Sequence, residues 1–249
     1  MRGKIIVNGI EISKNKTSIC VPIVQAEAEG ILNMAQRINK YKVDLIEWRA
    51  DYFECAEEAG KVNEILCSIR RLTDKPLIFT YRGAAEGGFI ATSDKLRAEV
   101  ALSVIEKNLP HMVDIELNNE KNILSELVNA AHKNNIYVVM SNHDFEKTPS
   151  PQEIIERLLQ MESLGADIAK IAVMPRGIDD VILLLDALNQ ANKIVGIPIT
   201  AISMGKLGLV SRVAANVFGS CITFGNIGGE SAPGQIRADK LRSVMGLFE

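Results

Sequence analysis

Eight short apolar runs recur along the chain, and amphipathic stretches lie between them. The runs are residues 19–24, 43–49, 77–82, 112–117, 136–142, 168–173, 198–203 and 221–224. Helical stripes fill intervening segments: Leu96, Val100, Val104 and Ile105 share one face, and Ile154, Ile155, Leu158 and Leu159 share another. Pro149-Ser150-Pro151 ahead of Gln152-Glu153 predicts a helix start, with Ser150 as N-cap and Pro151 at the first helical position. Strand–helix units of roughly 25–30 residues leave room for crossovers, so parallel strands with right-handed connections are expected. Eight such units predict an α/β chain closed into a (β/α)₈ TIM barrel. A doubly wound open sheet is the competing architecture, but the first run leads into Gln25-Ala26-Glu27-Ala28-Glu29 rather than a glycine-rich dinucleotide turn. Ahead of the repeats, Asn8-Gly9 between Lys4–Val7 and Ile10–Ser13 predicts a β-hairpin placed to cover one end of the barrel. No linker or low-complexity tract interrupts residues 1–249, so one domain is expected.

Composition narrows the function. The 249 residues suit a one-domain barrel. A formal net charge of −3 argues against a nucleic-acid footprint. No apolar stretch approaches the length of a membrane span, and the N-terminal run meets Asn8-Gly9 too early for a signal peptide. Cys20, Cys55, Cys67 and Cys221 are scattered without a C-x-x-C pair, as expected for reduced thiols of a cytoplasmic protein.

The sixth run carries Lys170 in its middle, within Ala169-Lys170-Ile171-Ala172. A strand of this kind is expected to be buried on both faces, where burial favours an uncharged amine able to form a Schiff base with a carbonyl. A lysine that snorkels outward or pairs with a carboxylate is the alternative. Side-chain parity adds weight to the chemistry. Glu47 and Arg49 share a face, as do Thr80 and Arg82, Asp114 and Glu116, and Ser141 and His143. If those faces point inward, ionisable groups from several strands meet Lys170 at the C-terminal mouth, where barrel enzymes place their sites. His143, at the end of the preceding strand, suits a general acid/base. His111 and His132 lack such company; His132 reads as the last turn of a helix. Arg49, Arg82 and Arg212 suit an anionic, carboxylate-bearing substrate. The loop Gly228-Gly229-Glu230-Ser231-Ala232-Pro233-Gly234-Gln235 and the shorter Glu86-Gly87-Gly88 could fold over a ligand, or their glycines could serve turns alone.

Six motifs occur in order along the chain: Glu47-Trp48-Arg49-Ala50-Asp51, Tyr81-Arg82 with Glu86-Gly87-Gly88, Ser141-Asn142-His143-Asp144, Ala169-Lys170-Ile171-Ala172, Ser203-Met204-Gly205 and Ser231-Ala232-Pro233-Gly234-Gln235. Together they resemble the type I 3-dehydroquinate dehydratases over nearly the whole chain. The resemblance implies a homodimeric barrel that needs neither metal nor organic cofactor and dehydrates 3-dehydroquinate through a lysine imine, in the shikimate pathway. It implies catalytic roles for Lys170 (imine), His143 (proton transfer) and Glu86 (orienting His143). Substrate contacts are implied for Glu47, Trp48, Arg49, Arg82, Met204, Arg212, Phe224, Ser231, Ala232 and Gln235, with Arg212 on the carboxylate. The chain departs from the family pattern at Pro22, where some members carry a serine, and at Gly83, where a small hydroxyl residue is common. Three other readings stay open from the residues themselves: an aldolase-like Schiff-base lyase, a metal site built on Glu47, Asp114, Glu116 and His143, and a carboxylate-binding barrel without turnover. Neighbouring cations at Lys170 and the arginines oppose the metal site.

Overall fold

Asn8 and Gly9 both adopt positive φ, 47° and 80°, which bends the chain into the predicted hairpin. Its strands β1 (Lys4–Val7) and β2 (Ile10–Ser13) pair antiparallel and stand apart from the main sheet in this computed structural model, which describes residues 3–228 and 232–248.

The main sheet has eight parallel strands: β3 (Ser18–Ile23), β4 (Leu45–Arg49), β5 (Leu77–Thr80), β6 (Met112–Glu116), β7 (Tyr137–Asp144), β8 (Ile168–Val173), β9 (Ile199–Ser203) and β10 (Ile222–Phe224). Their order is β10-β3-β4-β5-β6-β7-β8-β9, so the chain-terminal strand returns to the first and nearly closes a barrel. The remaining seam, between β9 and β10, has no strand ladder among the described residues. The Cys221 N–H donates to the Ile199 carbonyl at 2.7 Å there, and the Ala201 N–H to Ser220 Oγ at 3.2 Å.

Helices α1 (Ala28–Ile38), α2 (Ala59–Leu72), α3 (Asp94–Glu106), α4 (Lys121–Lys133), α5 (Pro151–Ser163) and α6 (Ile178–Ile194) form the outer layer with α7 (Leu209–Val213), α8 (Ala215–Phe218) and α9 (Ala238–Met245). At α5 the Ser150 side chain accepts from the Glu153 N–H while Glu153 reaches back to the Ser150 N–H, with Pro151 opening the helix.

Two apolar clusters follow from strand parity. Ile19, Val21, Ile46, Trp48, Phe79, Val113, Met140 and Ile171 face the helices. Cys20, Leu45, Ile78, Met112, Val139 and Ile168 fill the barrel's lower interior, joined by Val7 and Ile12 of the hairpin. The hairpin thus caps the N-terminal end of the barrel, held there by Asn8 Nδ2 donating to the Asp74 carbonyl and Tyr137 Oη to the Ile6 carbonyl. No helix among the described residues is long and apolar enough to cross a membrane.

Candidate active site

Parity lifts the polar residues above the apolar floor. Glu47, Arg49, Thr80, Arg82, Asp114, Glu116, Ser141 and Lys170 are all buried, and charged groups this deep require partners. Lys170 finds two. Its Nζ lies 3.1 Å from Asp114 Oδ2 and 3.3 Å from Glu47 Oε1, and sits 4.7 Å from the centre of the Phe224 ring. Of the two readings open from the strand sequence, the fold gives Lys170 the carboxylate pairing, with partners from β4 and β6, distant in sequence. Thr80 Oγ1 donates to the same Glu47 oxygen at 3.0 Å, and Ser141 Oγ donates to Asp114 Oδ1 at 2.6 Å. Burial alone would raise the Asp114 pKa, but Arg82 and then Lys170 outweigh it and hold the carboxyl well below the usual carboxylate range.

Arg82 is the hub of the neighbouring strands. Its guanidinium reaches Asp114 at 2.8 Å, Glu116 at 3.0 Å and Ser141 Oγ at 2.8 Å. Glu116 also accepts from Arg97 of α3 at 3.0 Å. This pair explains the departure at Gly83: a Cβ there would lie 2.8 Å from the Arg97 guanidinium and 3.0 Å from Glu116 Oε2. The glycine makes room for an ion pair.

His143 and Glu86 form one unit. Glu86 Oε2 accepts from the His143 backbone N–H and lies 2.9 Å from His143 Nδ1; Oε1 accepts from Asn118 at 2.9 Å and Asn142 at 3.3 Å. Burial, reinforced by Arg82 and Lys170, pushes the His143 pKa well below its ordinary value, so the ring is neutral near pH 7. With Nδ1–H donating to the carboxylate, the tautomer leaves Nε2 as the basic nitrogen. Burial raises Glu86 to about 7; Arg82 opposes the rise, and nearby Glu116 adds to it.

These groups line one pocket at the C-terminal mouth of the barrel. Glu47, Arg49, Arg82, Glu86, His143 and Lys170 form its polar side. Met204 and Phe224 supply apolar wall, joined by Phe145, Ala172 and Ile202, which sequence reading did not assign. Arg212, Ala232 and Gln235 close the remaining side, with the Arg212 guanidinium donating to the Pro233 carbonyl at 3.1 Å. Ser231 lies outside the described residues.

Among the described residues, Trp48 is the predicted contact that the fold does not bring to the pocket. Its neighbours Glu47 and Arg49 point inward, so alternation sends the indole to the helix layer, where it packs on Phe79 at 5.8 Å and Phe53 at 6.0 Å. Asp114 is the converse: its parity with Lys170 was visible in the sequence, yet its direct contact with that amine was not. Among the described residues, no group of three or more His, Cys, Asp or Glu is arranged to hold a metal ion.

The family model for type I 3-dehydroquinase matches residues 19–249. The chain belongs to the type I 3-dehydroquinases. It is thus a hydro-lyase by family. It is 42% identical to a 3-dehydroquinate dehydratase of Listeria monocytogenes over 246 residues, covering 98% of both chains. A crystal structure of the Clostridium difficile type I 3-dehydroquinate dehydratase, with covalently modified comenic acid, superposes with a TM-score of 0.96 at 40% identity, covering 100% of this chain and 98% of that one. The Enterococcus faecalis enzyme gives a TM-score of 0.92 at 38% identity, covering 98% and 99%.

Proposed function

We propose that this chain removes water from 3-dehydroquinate to give 3-dehydroshikimate, with Lys170 as the imine-forming amine and His143 as the proton carrier, in the shikimate pathway. The observation that carries the reading is the meeting of Lys170, a neutral His143 held by Glu86, and Arg212 in one pocket of a type I 3-dehydroquinase. Lys170 Nζ, once its ammonium has released a proton to solvent, adds to the C3 carbonyl, and loss of water from the carbinolamine gives the imine. The protonated imine withdraws electrons from C2, whose proton passes to His143 Nε2. The C–H electron pair shifts toward the imine to form an enamine. Its return expels the C1 hydroxyl, which leaves as water with the proton His143 took. Hydrolysis then frees product and restores the amine. Glu86 holds the imidazole in the tautomer the first proton transfer needs, and its negative charge stabilises the imidazolium formed. Arg212 suits the substrate carboxylate; Glu47, Arg49, Arg82 and Gln235 suit its hydroxyls, with Ser231 assigned there by family resemblance alone. The protein is expected to work in the cytoplasm as a homodimer, which sedimentation at micromolar concentration would test.

Borohydride reduction in the presence of 3-dehydroquinate, followed by peptide mass spectrometry, tests the mechanism. An adduct on the Lys170 peptide is expected. Product formation with no reduced adduct would show that elimination proceeds without an imine.

A further inference from the structure

The mechanism leaves Asp51 unused, although it is one of the most engaged carboxylates in the molecule. It sits in the short turn Ala50–Tyr52 that follows β4, and it is fully buried. Oδ1 accepts from Arg49 Nε at 2.8 Å and from the Arg82 backbone N–H at 3.4 Å. Oδ2 accepts from Arg49 Nη2 at 2.8 Å and from the Phe89 backbone N–H at 2.9 Å. The same Nη2 reaches the Gly87 carbonyl at 3.3 Å. One carboxylate therefore ties three things together: a guanidinium on the pocket wall, the end of β5, and the far end of the loop that carries Glu86.

The loop is tied down on its other side by the contacts of Glu86 with Asn118, Asn142 and His143 and by the Gly83 N–H, which donates to Glu116 at 2.8 Å; Asp51 holds its two ends. Residues 82–89 turn through Gly87, whose φ is +84°, and the ring of Phe145 packs where a Gly87 side chain would begin. Glu86 lies between the two backbone amides that Asp51 binds, at 82 and 89. Beyond the loop, Phe89 stacks on Tyr52 at 4.7 Å, and the Arg49 guanidinium lies 5.1 Å over the Tyr52 ring. The bidentate fork on Asp51 fixes the plane of the Arg49 guanidinium as well as its position.

We infer that Asp51 is a positioning residue for the reaction: its carboxylate sets Arg49 against the substrate and docks the Glu86 loop, so that Glu86 meets His143 at hydrogen-bond distance. The inference rests on the reading that Arg49 faces substrate and Glu86 orients His143. Asp51→Asn keeps the shape but in either orientation places an amide N–H₂ against one arm of the Arg49 fork, together with the Arg82 or the Phe89 N–H. Asp51→Ala removes all four contacts.

The test compares kcat, KM, the acid limb of the kcat/KM profile and thermal stability in both variants, with Arg49→Gln as reference. In Asp51→Asn, KM is expected to rise roughly tenfold and kcat/KM to fall by roughly ten- to a hundredfold, as befits loss of a charged, bidentate contact. The acid limb is expected to shift, because Glu86 has moved relative to His143. A purely structural residue would lower the melting temperature and leave KM and the limb in place well below it. That result in Asp51→Asn would overturn the inference, and the milder variant keeps it testable where Asp51→Ala fails to fold. If Arg49→Gln raises KM and Asp51→Asn does not, Asp51 alone loses its role. If Arg49→Gln leaves KM unchanged, the substrate-facing reading of Arg49 fails, and the Asp51 inference falls with it.

Discussion

Replacing Glu86 by glutamine tests whether this carboxyl governs the low-pH behaviour of the site. In the native protein Glu86 is raised to about 7 by burial, while His143 is driven well below its ordinary value. The first proton taken up on acidification therefore goes to Glu86. A protonated Glu86 donates to His143 Nδ1 instead of accepting from it, which moves the ring hydrogen to Nε2 and removes the base facing the substrate. Activity is therefore expected above about 7 and should be lost as pH falls through that value. The loss in kcat/KM should be roughly tenfold per pH unit, so roughly a hundredfold near two units below the midpoint. Glutamine cannot titrate. The variant should show no limb near neutrality, so its profile stays flat where the native one falls. Its plateau should lie roughly tenfold lower, because a neutral amide stabilises the imidazolium by about 1–1.5 kcal/mol less than a carboxylate. Steady-state kinetics from pH 5 to 9 in constant-ionic-strength buffer reads both effects. Persistence of the native limb in Glu86→Gln would refute the reasoning, since another group would then own it.

Lys170→Ala leaves Glu47 and Asp114 without their shared cation, but Asp114 keeps Arg82 at 2.8 Å. The cost should therefore fall below that of a fully orphaned buried charge, at about 2–3 kcal/mol, or roughly 5–10 °C in melting temperature. Because the Asp114 pKa is depressed in the folded state, that stability is present above about pH 4 and fades below it, so the gap to the native protein should narrow on acidification. A gap independent of pH in thermal melts would contradict the pairing. Trp48→Phe should cost about 1–2 kcal/mol in urea unfolding and leave KM unchanged, since the indole packs among helix-facing rings; a raised KM would put the side chain back at the pocket. Burial, with Glu47 adding, raises the Cys20 thiol, and burial pushes Cys221 up to about 12, so a disulfide reagent at pH 8 should label Cys55 and Cys67 in native protein and reach the other two after unfolding. Labelling of Cys221 without unfolding would show that its strand opens.

The barrel was legible because two periods dominate it. Strand alternation put Glu47, Thr80, Asp114, Ser141 and Lys170 on one side, and their shared inward direction needed no tertiary information. Pairing is a different matter. Lys170 meets Glu47 across 123 positions of sequence and Asp114 across 56, and no local pattern encodes which inward carboxylate reaches which amine. Trp48 shows the limit of motif likeness, because a residue between two site residues on a strand belongs by parity to the opposite face. Asp51, by contrast, lay in plain view within Glu47-Trp48-Arg49-Ala50-Asp51, but its partners at 82 and 89 arrive from another unit of the barrel.

The unladdered seam between β9 and β10 gives the last unit of the barrel a looser mechanical attachment than its neighbours. Arg212 follows β9, whereas Phe224 and Gln235 belong to or follow β10, so the two sides of the seam contribute opposing faces of the same ligand cradle. An anionic ligand gripped by both would act as a rivet across the joint. Bound protein should then show its largest gain in amide-exchange protection at Cys221, Ala201 and Gly205, whose N–H groups span the gap, and not deep in the ladders that are already sewn.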